Sequence, residues 1–357
     1  MKNTNPVTKN RLKAIVAKLL CWFDKNARDL PWRRTRDPYA IWISEIMLQQ
    51  TQVKTVIPYW ERWMRTLPTI EAFAKAEPQV FLKLWEGLGY YTRVHNAHRA
   101  SQVIVTDYKG SFPQTHEHVL ALPGIGRYTA GAICSIAFNQ PTPIVDGNVI
   151  RVLARVFGIE GNPKDKMVNA QMWKLAEDLV RVSAKASSTN AVSHFNQSLM
   201  ELGALICTPR APQCTNCPLQ THCIALRTNR VEELPAMEKR QAATPRKFAA
   251  FIIQKNKRWL VQQRPAGVIN AHLWEFPNIE IPVTAKVLPK DVPYSSSAKP
   301  VFTIRHSITR YRIQMDVYCG TTKTDATGKW VSQTELMKLA FSSAHRQIAD
   351  RISRTSA

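Results

Sequence analysis

Four of the seven cysteines in this 357-residue sequence fall within one short segment. Cys207, Cys214, Cys217 and Cys223 follow the spacing C-x6-C-x2-C-x5-C. Thiolate sulfur is a soft ligand, which restricts a shared metal centre to zinc or iron–sulfur. Zinc sites with four cysteines usually join two C-x2-C pairs. Because this segment has one such pair, the spacing favours a [4Fe-4S] cluster with a structural role; four unrelated buried cysteines are the alternative.

A second motif is the run Leu-Pro-Gly-Ile-Gly at Leu122–Gly126, between two helical patterns. Gly124 and Gly126 permit a tight turn that leaves backbone N–H groups at the start of the next helix free for a phosphate oxygen. The small residues at 130–132 would let that helix pack closely. A plain helix connection is the alternative. The motif gains weight from Asp146, which lies twenty residues beyond Gly126.

Two carboxylates lie in unlike surroundings. Glu45 lies within the apolar run Ile43–Leu48, which should raise its pKa and keep it protonated for general-acid work. A solvated surface glutamate is the alternative. Asp146 follows two apolar residues and precedes a helical pattern that begins near Asn148, so an N-cap role and a chemical role are both open.

The charge of the chain indicates the class of its partner. Lys and Arg number 49 against 26 Asp and Glu, a formal charge of +23. Residues 1–225 hold 27 basic and 16 acidic residues, so the excess extends through both halves. A polyanion is therefore expected, with nucleic acid as the first candidate. Since no apolar run reaches the length of a membrane span, we expect no membrane partner and a cytoplasmic, nucleoid-associated protein with reduced cysteines.

Two kinds of pattern divide the chain into domains. Residues 1–226 show the three- and four-residue apolar spacing of helices, which predicts a helical domain that includes the cysteine loop at 207–223. Residues 247–357 contain short β-branched and aromatic runs, which predict an α+β domain. The charged, aperiodic residues 227–246 predict a linker. The three remaining cysteines lie singly on apolar segments and are expected in the core: Cys21, Cys134 and Cys319.

Several motifs together resemble the helix-hairpin-helix DNA glycosylases, and within them the adenine DNA glycosylases. The hairpin, Asp146 and the cysteine segment carry the first resemblance. The second rests on four segments: Leu30–Arg33, Trp42–Val53, Gly87–Tyr91 and Gly126–Ala132. The resemblance is dense over the first 225 residues and looser beyond them. It implies a mostly α-helical glycosylase domain with a [4Fe-4S] loop, followed by a C-terminal α+β, Nudix-like domain.

The resemblance also implies an activity, the removal of adenine from double-stranded DNA opposite 8-oxoguanine or guanine. Glu45 would donate a proton to N7 of adenine, and Asp146 would stabilise the oxocarbenium-like sugar. Relatives that cut the strand carry a Schiff-base lysine where this chain has Tyr128, which predicts a monofunctional glycosylase. Tyr128 and Asn148 would support the substrate and Asp146 through hydrogen bonds, although Tyr128 also fits an ordinary half-buried aromatic.

The resemblance also implies residues that contact a base flipped out of the DNA stack, and residues that contact the gap which this base leaves. Gln50, Leu88 and Tyr90 match positions that contact the resulting gap and the opposite purine. Arg33 and Gln197 match positions that contact the flipped adenine. Core packing for Tyr90 and a plain helix surface for Gln197 are the alternatives.

The C-terminal domain resembles a Nudix fold from Leu273–Pro277 onward, but no helix with the R-E-x-x-E-E pattern follows to bind Mg²⁺. The sequence therefore argues against a working Nudix hydrolase, and the resemblance implies a module that checks for 8-oxoguanine. The recognition loop of the family commonly reads H-x-F-S-H, and the best register here is His306–Arg310. Thr309 keeps a hydroxyl, while Arg310 replaces a histidine and could donate to a guanine edge or to phosphate. A purely structural strand is the alternative.

Three other functions compete with this interpretation. A bifunctional glycosylase/lyase for damaged pyrimidines is disfavoured by Tyr128. A non-catalytic DNA-binding or damage-sensing protein would keep the scaffold and release no base, and a Nudix hydrolase is the most distant alternative. We expect a monomer.

Overall fold

The computed structural model describes residues 8–238, 242–285, 287–288, 294–297, 299–308, 310–322 and 327–355. These residues divide into two compact units. The first comprises 8–74 and 96–238, and the second comprises 75–95 and the described residues from 242 onward. No helix in this part of the chain is long and apolar enough to cross a membrane.

The first unit is helical, as the apolar spacing predicts. Its helices before the hairpin are α1 (Lys9–Asn26), α2 (Pro38–Leu48), α3 (Val53–Thr66) and α4 (Ile70–Ala74). After α5 (Pro78–Trp85) of the second unit, α6 spans Thr92–Asp107 and crosses the boundary between the units. The remaining helices are α7 (His116–Leu120), α8 (Arg127–Phe138), α9 (Gly147–Phe157), α10 (Lys166–Ser183), α11 (Ala191–Leu205) and α12 (Ile224–Arg227).

Two of these helices are buried on nearly all sides, and both carry polar groups of the site. Residues 39–47 of α2 are all buried, as are most residues of α11. A helix that is apolar all round can be stable only inside a core. Asp37 caps α2, since its side chain accepts a hydrogen bond from the N–H of Tyr39 at 3.0 Å. Polar residues on such helices are held in fixed positions by the surrounding packing.

The second unit contains α5 and a sheet. The described strands are β1 (Thr244–Lys255), β2 (Arg258–Gln263), β3 (Trp274–Glu275), β4 (Asn278–Ile281), β5 (Tyr294–Ser296), β6 (Phe302–Ile308), β7 (Tyr311–Thr322) and β8 (Lys329–Val331). Strands β1 and β7 run parallel, from Thr244 opposite Tyr311 to Ile253 opposite Gly320. Strands β6 and β7 form an antiparallel hairpin. Helices α13 (Gln333–Lys338) and α14 (Ser343–Thr355) follow the sheet.

The predicted architecture, a mostly helical unit followed by an α+β unit, is confirmed. Strand β1 begins at Thr244, inside the segment predicted as a linker. Cys134 is buried as expected, but the prediction for Cys21 and Cys319 is wrong, because both are exposed. Cys21 lies on the face of α1 away from its buried residues, and Cys319 follows the buried Tyr318 on a strand, where side chains alternate between faces.

Candidate active site

A cleft of about 710 Å³ in the first unit brings together most of the predicted site residues. It lies where α2, the first turns of α8 and α9, and α11 meet. The predicted residues that line it are Arg33, Glu45, Gln50, Gly124, Gly126, Tyr128, Asp146, Asn148 and Gln197. These residues span more than 160 positions of the sequence, so the cleft is a product of tertiary folding.

Glu45 projects from buried helix α2 and is only 5% exposed. Burial raises its pKa to about 7, and the negative charge of Asp146 adds to the rise. The hydroxyl of Tyr128 donates a hydrogen bond to Oε2 of Glu45 at 2.8 Å, which favours the charged form and limits the shift. The raised pKa that the sequence predicts is therefore present, and it makes the carboxyl a proton donor near neutral pH.

Asp146 is the N-cap of α9 and also faces the cleft. Its Oδ1 accepts a hydrogen bond from the N–H of Val149 at 2.7 Å, and its Oδ2 accepts one from Nδ2 of Asn148 at 3.2 Å. The pKa of Asp146 is raised, because burial outweighs the hydrogen bonds from these donors and the charge of Arg151, which lower it. The carboxylate of Asp146 therefore caps α9 and lines the cleft, and its chemical role stays a prediction.

A buried ion cluster forms the next part of the site, and the sequence reasoning missed two of its members. The side chain of Glu201 is 1% exposed and accepts hydrogen bonds from Arg28 at 2.7 and 2.8 Å and from Arg33 at 3.0 and 3.1 Å. Burial raises the pKa of Glu201, but the two guanidinium groups outweigh it and hold the pKa at about 2. Glu201 lies one helical turn after Gln197 on the apolar helix α11, and this lone carboxylate was the available signal.

Arg33 and Gln197 are held together as a pair. Nε of Arg33 donates to Oε1 of Gln197 at 3.0 Å, and Nε2 of Gln197 donates to Oγ of Ser193 at 3.1 Å. Glu201 fixes the guanidinium from its other side. Both predicted base-contacting side chains therefore occupy one defined arrangement at the cleft.

The hairpin ends where α8 begins. Gly124 has a φ of 75°, and a Cβ atom there would lie 2.4 Å from Cβ of Asn96. Gly126 is the N-cap of α8 and has no side chain to bind the first N–H groups of the helix. Gly126 lies at the edge of the cleft, two residues before Tyr128. The N–H groups of the first turn of α8 are therefore in a position suited to an anion.

Arg151, a residue that the sequence analysis did not single out, links Asp146 to the cysteine segment. Its guanidinium donates to Oδ1 of Asn148 at 2.8 Å, to the carbonyl of Gly203 at 2.6 Å and to the carbonyl of Cys207 at 2.6 Å. Because Asn148 in turn donates to Asp146, a continuous series of hydrogen bonds joins the catalytic candidate to the first cysteine. The signal was an arginine one turn after Asn148 on a helix whose N-cap is Asp146.

The four clustered cysteines line one small cavity beside the buried Arg155. Burial raises the pKa of Cys217 to about 12, and the other three thiols add to the rise, so the sulfurs lie close enough to interact. Arg155 donates to Sγ of Cys207 at 3.5 Å, a contact that suits an anionic sulfur. Within the described ranges, no group of three or more His, Cys, Asp or Glu side chains is arranged to hold a single metal ion. The donor set is one that fits a soft, multi-ligand centre.

Two predicted DNA-contacting residues lie in the second unit. Leu88 is buried, and Tyr90 is 45% exposed with a φ of 48°. The carbonyl oxygens of Leu88 and Gly89 each accept a hydrogen bond from Arg93 at 3.0 Å. The turn thus presents an aromatic ring on a fixed backbone.

The predicted recognition loop lies at the β6–β7 hairpin. His306 lies on β6, and its Nδ1 is buried with no hydrogen-bond partner among the residues that the structure describes. Arg310 is exposed and donates to the hydroxyl of Tyr311 at 3.0 Å. Thr309 lies outside the described residues. The structure therefore places an exposed guanidinium, held against Tyr311, at the start of β7.

Comparisons with known proteins identify the class. The sequence model of the HhH-GPD superfamily of base excision DNA repair proteins matches residues 43–178, and that of the NUDIX domain matches residues 248–351. A solved structure of a thermostable thymine-DNA glycosylase is similar, with a TM-score of 0.55 and 30% identity over 61% of this chain and 98% of that one. The fold and the cleft are those of a base excision DNA glycosylase.

Relatives that match most of the chain identify the family within this class. The adenine DNA glycosylase of Rattus norvegicus is 34% identical over 92% of this chain and 76% of its own length. That of Buchnera aphidicola from Acyrthosiphon pisum is 42% identical over 68% of each chain. The chain belongs to the adenine DNA glycosylase family.

We predict that Glu201→Gln destabilises the fold by about 3–5 kcal/mol at pH 7, because it leaves two guanidinium groups without their counter-charge. Since the folded-state pKa of Glu201 is lowered to about 2, its stabilisation is complete above pH ~5 and is lost as the pH falls towards 2. The difference in the free energy of unfolding between the variant and the wild type should therefore become smaller as the pH falls. Urea unfolding at pH 7 and pH 4, followed by tryptophan fluorescence, measures it.

The matched control is Glu177→Gln, which removes a carboxylate that is 33% exposed and is paired with Arg181 and Lys174. It should cost less than about 1 kcal/mol. If the two variants were equally stable, the proposed importance of the buried cluster would be wrong.

Proposed function

We propose that this protein hydrolyses the N-glycosidic bond of adenine mispaired with 8-oxoguanine or guanine in duplex DNA, with Glu45 as the general acid. Its family removes adenine in base excision repair. The observation that carries the assignment of roles is the unlike state of two carboxyl groups in one cleft. Burial raises the pKa of both groups, to about 7 for Glu45, but Asp146 accepts two hydrogen bonds that favour its charged form, whereas Glu45 accepts one from Tyr128. Environments that separate two carboxyl groups in this way separate acid from stabilising roles.

Glu45 supplies the proton that makes adenine a leaving group. A pKa of about 7 leaves a large protonated fraction at neutral pH, so the carboxyl can deliver a proton to N7 of the base as the bond to the sugar breaks. Tyr128 holds the carboxyl in position through Oε2. After the base departs, the carboxylate of Glu45 can accept a proton from the attacking water.

Asp146 stabilises the positive charge that develops on the sugar. The N–H of Val149 and the amide of Asn148 hold its carboxylate at the start of α9. Tyr128 is a phenol and cannot form a Schiff base with the sugar. The chain is therefore proposed to be monofunctional, with little or no strand cleavage.

Binding of the substrate divides among three groups of residues. Arg33 and Gln197 face the flipped adenine as a fixed pair. Gly124 and Gly126 offer backbone N–H groups to a phosphate of the DNA backbone, a contact that orients without reading sequence. Gln50 and Tyr90 are proposed to enter the gap left in the stack and to contact the opposite purine, and the backbone of the buried Leu88 is proposed to lie beside that gap.

The C-terminal residues 247–357 are proposed to check the opposite base through the β6–β7 hairpin. Arg310 is exposed at its tip and can donate to a guanine edge or to phosphate. His306 and Thr309 complete the predicted loop. We propose that a monomer acts in the cytoplasm, bound to the chromosomal DNA.

The four cysteines, Cys207, Cys214, Cys217 and Cys223, are proposed to hold one [4Fe-4S] cluster. They share a cavity next to Arg155, and four thiolates are the ligand set of such a cluster. The cluster supplies a covalent cross-link that fixes the loop at 207–223. Through Arg151 that loop reaches Asn148 and Asp146, so its order supports the geometry of the cleft.

The substrate is tested by single-turnover release of adenine from duplexes with adenine opposite 8-oxoguanine, guanine or thymine. We expect release opposite the first two and none opposite thymine. Glu45→Gln, which keeps the shape and removes the acid, should lower the rate by about 10²–10⁴-fold. Tight binding of every duplex without release would instead support a damage-sensing protein, and efficient strand cleavage would support a lyase.

The acid is tested by the pH dependence of the same rate. Because Glu45 must be protonated to act and has a pKa of about 7, the rate should be highest below pH 7 and fall as the pH rises. Tyr128→Phe removes the hydrogen bond that lowers this pKa, so its alkaline limb should move to higher pH. An unchanged limb in the variant would contradict the pairing of Tyr128 with Glu45 as the tuning interaction.

The cluster is tested by metal analysis and visible absorption of the purified protein. We expect brown protein with ~4 iron atoms per chain, and loss of iron in Cys214→Ser. The exposed Cys21 offers the control, since Cys21→Ser should retain the iron. Colourless wild-type protein that contains zinc would show that the cluster assignment is wrong.

A further inference from the structure

The short segment Leu339–Phe341, between α13 and α14, connects two parts of the second unit that are far apart in sequence. The N–H of Phe341 donates to Oε1 of Glu86 at 2.8 Å. The carbonyl of Leu339 accepts a hydrogen bond from Lys83 at 3.0 Å. On its other side, the carbonyl of Ala340 accepts a hydrogen bond from the N–H of Trp274 in β3 at 2.8 Å. The segment therefore contacts the sheet and the residues around Glu86 at once.

Glu86 is the centre of this connection. Its side chain is 13% exposed, and Oε1 also accepts a hydrogen bond from Nε of Arg346 on α14 at 2.8 Å. Oε2 accepts one from Lys83 at 2.7 Å. Arg346 is 15% exposed on its side chain and lies over the ring of Phe341. A half-buried carboxylate with two cationic partners and a backbone donor is a strong, directional contact.

The residues directly after Glu86 form a turn with an unusual backbone. Gly87, Gly89 and Tyr90 have φ values of 101°, 70° and 48°, and the last of these is strained for a residue with a side chain. The turn is held by Trp85, which donates to the carbonyl of Gly89 at 3.1 Å, and by the hydroxyl of Tyr91, which accepts from the N–H of Gly87 at 3.3 Å and donates to the carbonyl of Phe341 at 3.4 Å. A strained conformation persists only where its surroundings impose it.

We propose that Glu86 and Arg346 are positioning residues that couple the C-terminal sheet to the turn at residues 87–90. The pair fixes the end of α5 against the start of α14. A displacement of the C-terminal sheet therefore also moves the turn that carries Leu88 and Tyr90. The functional consequence rests on the proposed function: recognition of the opposite base by the C-terminal domain and occupation of the gap by Tyr90 occur as one event.

The coupling itself is tested without any substrate, by hydrogen–deuterium exchange of the full-length protein. Arg346→Gln removes a guanidinium some 250 positions from the turn in sequence, yet we expect amide exchange in a peptide covering residues 87–93 to rise at least fivefold. Glu86→Gln should also raise the exchange, and the double variant should show less than the sum of the two single effects, since the two residues share one contact.

Arg354→Gln is the matched control. Arg354 lies on the same helix, is exposed, and removal of its charge leaves the contacts of Glu86 intact. Exchange in the 87–93 peptide should be unchanged in this variant. If Arg346→Gln and Glu86→Gln also left it unchanged while remaining folded, the coupling would be refuted.

The consequence is tested by the ratio of single-turnover rates for adenine opposite 8-oxoguanine and opposite guanine. In Arg346→Gln this ratio should fall at least threefold, whereas a variant that is merely less stable would slow both reactions alike. An unchanged ratio, with faster exchange, would refute the link to recognition. A wild-type ratio near one would refute the proposed opposite-base preference, and the exchange experiment would still decide whether the coupling exists.

Discussion

The site depends on one carboxyl group whose burial disfavours its charged form. Glu45 lies in a helix that is buried along almost its whole length, and burial is the main reason that its pKa reaches about 7. A surface glutamate would be ionised at neutral pH and could not donate a proton. The hydrogen bond from Tyr128 limits the shift and fixes the side chain. Tyr128 lies two residues after Gly126, so the helical turn that is open to phosphate also holds the acid.

The contrast between Glu45 and Glu201 shows how partners decide the state of a buried carboxyl group. Both side chains are at most 5% exposed, and burial raises the pKa of each. Glu45 has a phenol as its neighbour and keeps a raised pKa, whereas two guanidinium groups bring the pKa of Glu201 to about 2. The first group is then available for proton transfer, and the second is a permanent charge that fixes Arg33 and, through it, Gln197. One cleft thus contains a switchable carboxyl group and a fixed one.

Hydrogen bonds extend the site beyond the cleft. Arg151 joins Asn148 to the backbone of Gly203 and Cys207, and a Cβ atom on Gly203 would lie 2.6 Å from Cβ of Asn148. Helices α9 and α11 therefore approach closely where Asp146 is held. In the second unit, Glu86 has a comparable role between α5 and α14. In both units, a half-buried charged side chain holds together segments that are distant in sequence.

The sequence by itself determined what depends on local pattern. Apolar spacing predicts the helical unit, β-branched runs predict the strands, and motif spacing predicts Glu45, Asp146, the hairpin and the four cysteines. Local pattern failed where tertiary packing decides: Cys21 and Cys319 lie on apolar segments, yet both are exposed. Tertiary structure alone decided which side chains become partners. Arg28 and Arg33 lie near the start of the first unit and Glu201 lies on α11, so the three meet only when the unit folds. Likewise only folding joins residues 75–95 to the C-terminal sheet, since a pairwise contact between distant positions leaves no periodic mark on either segment.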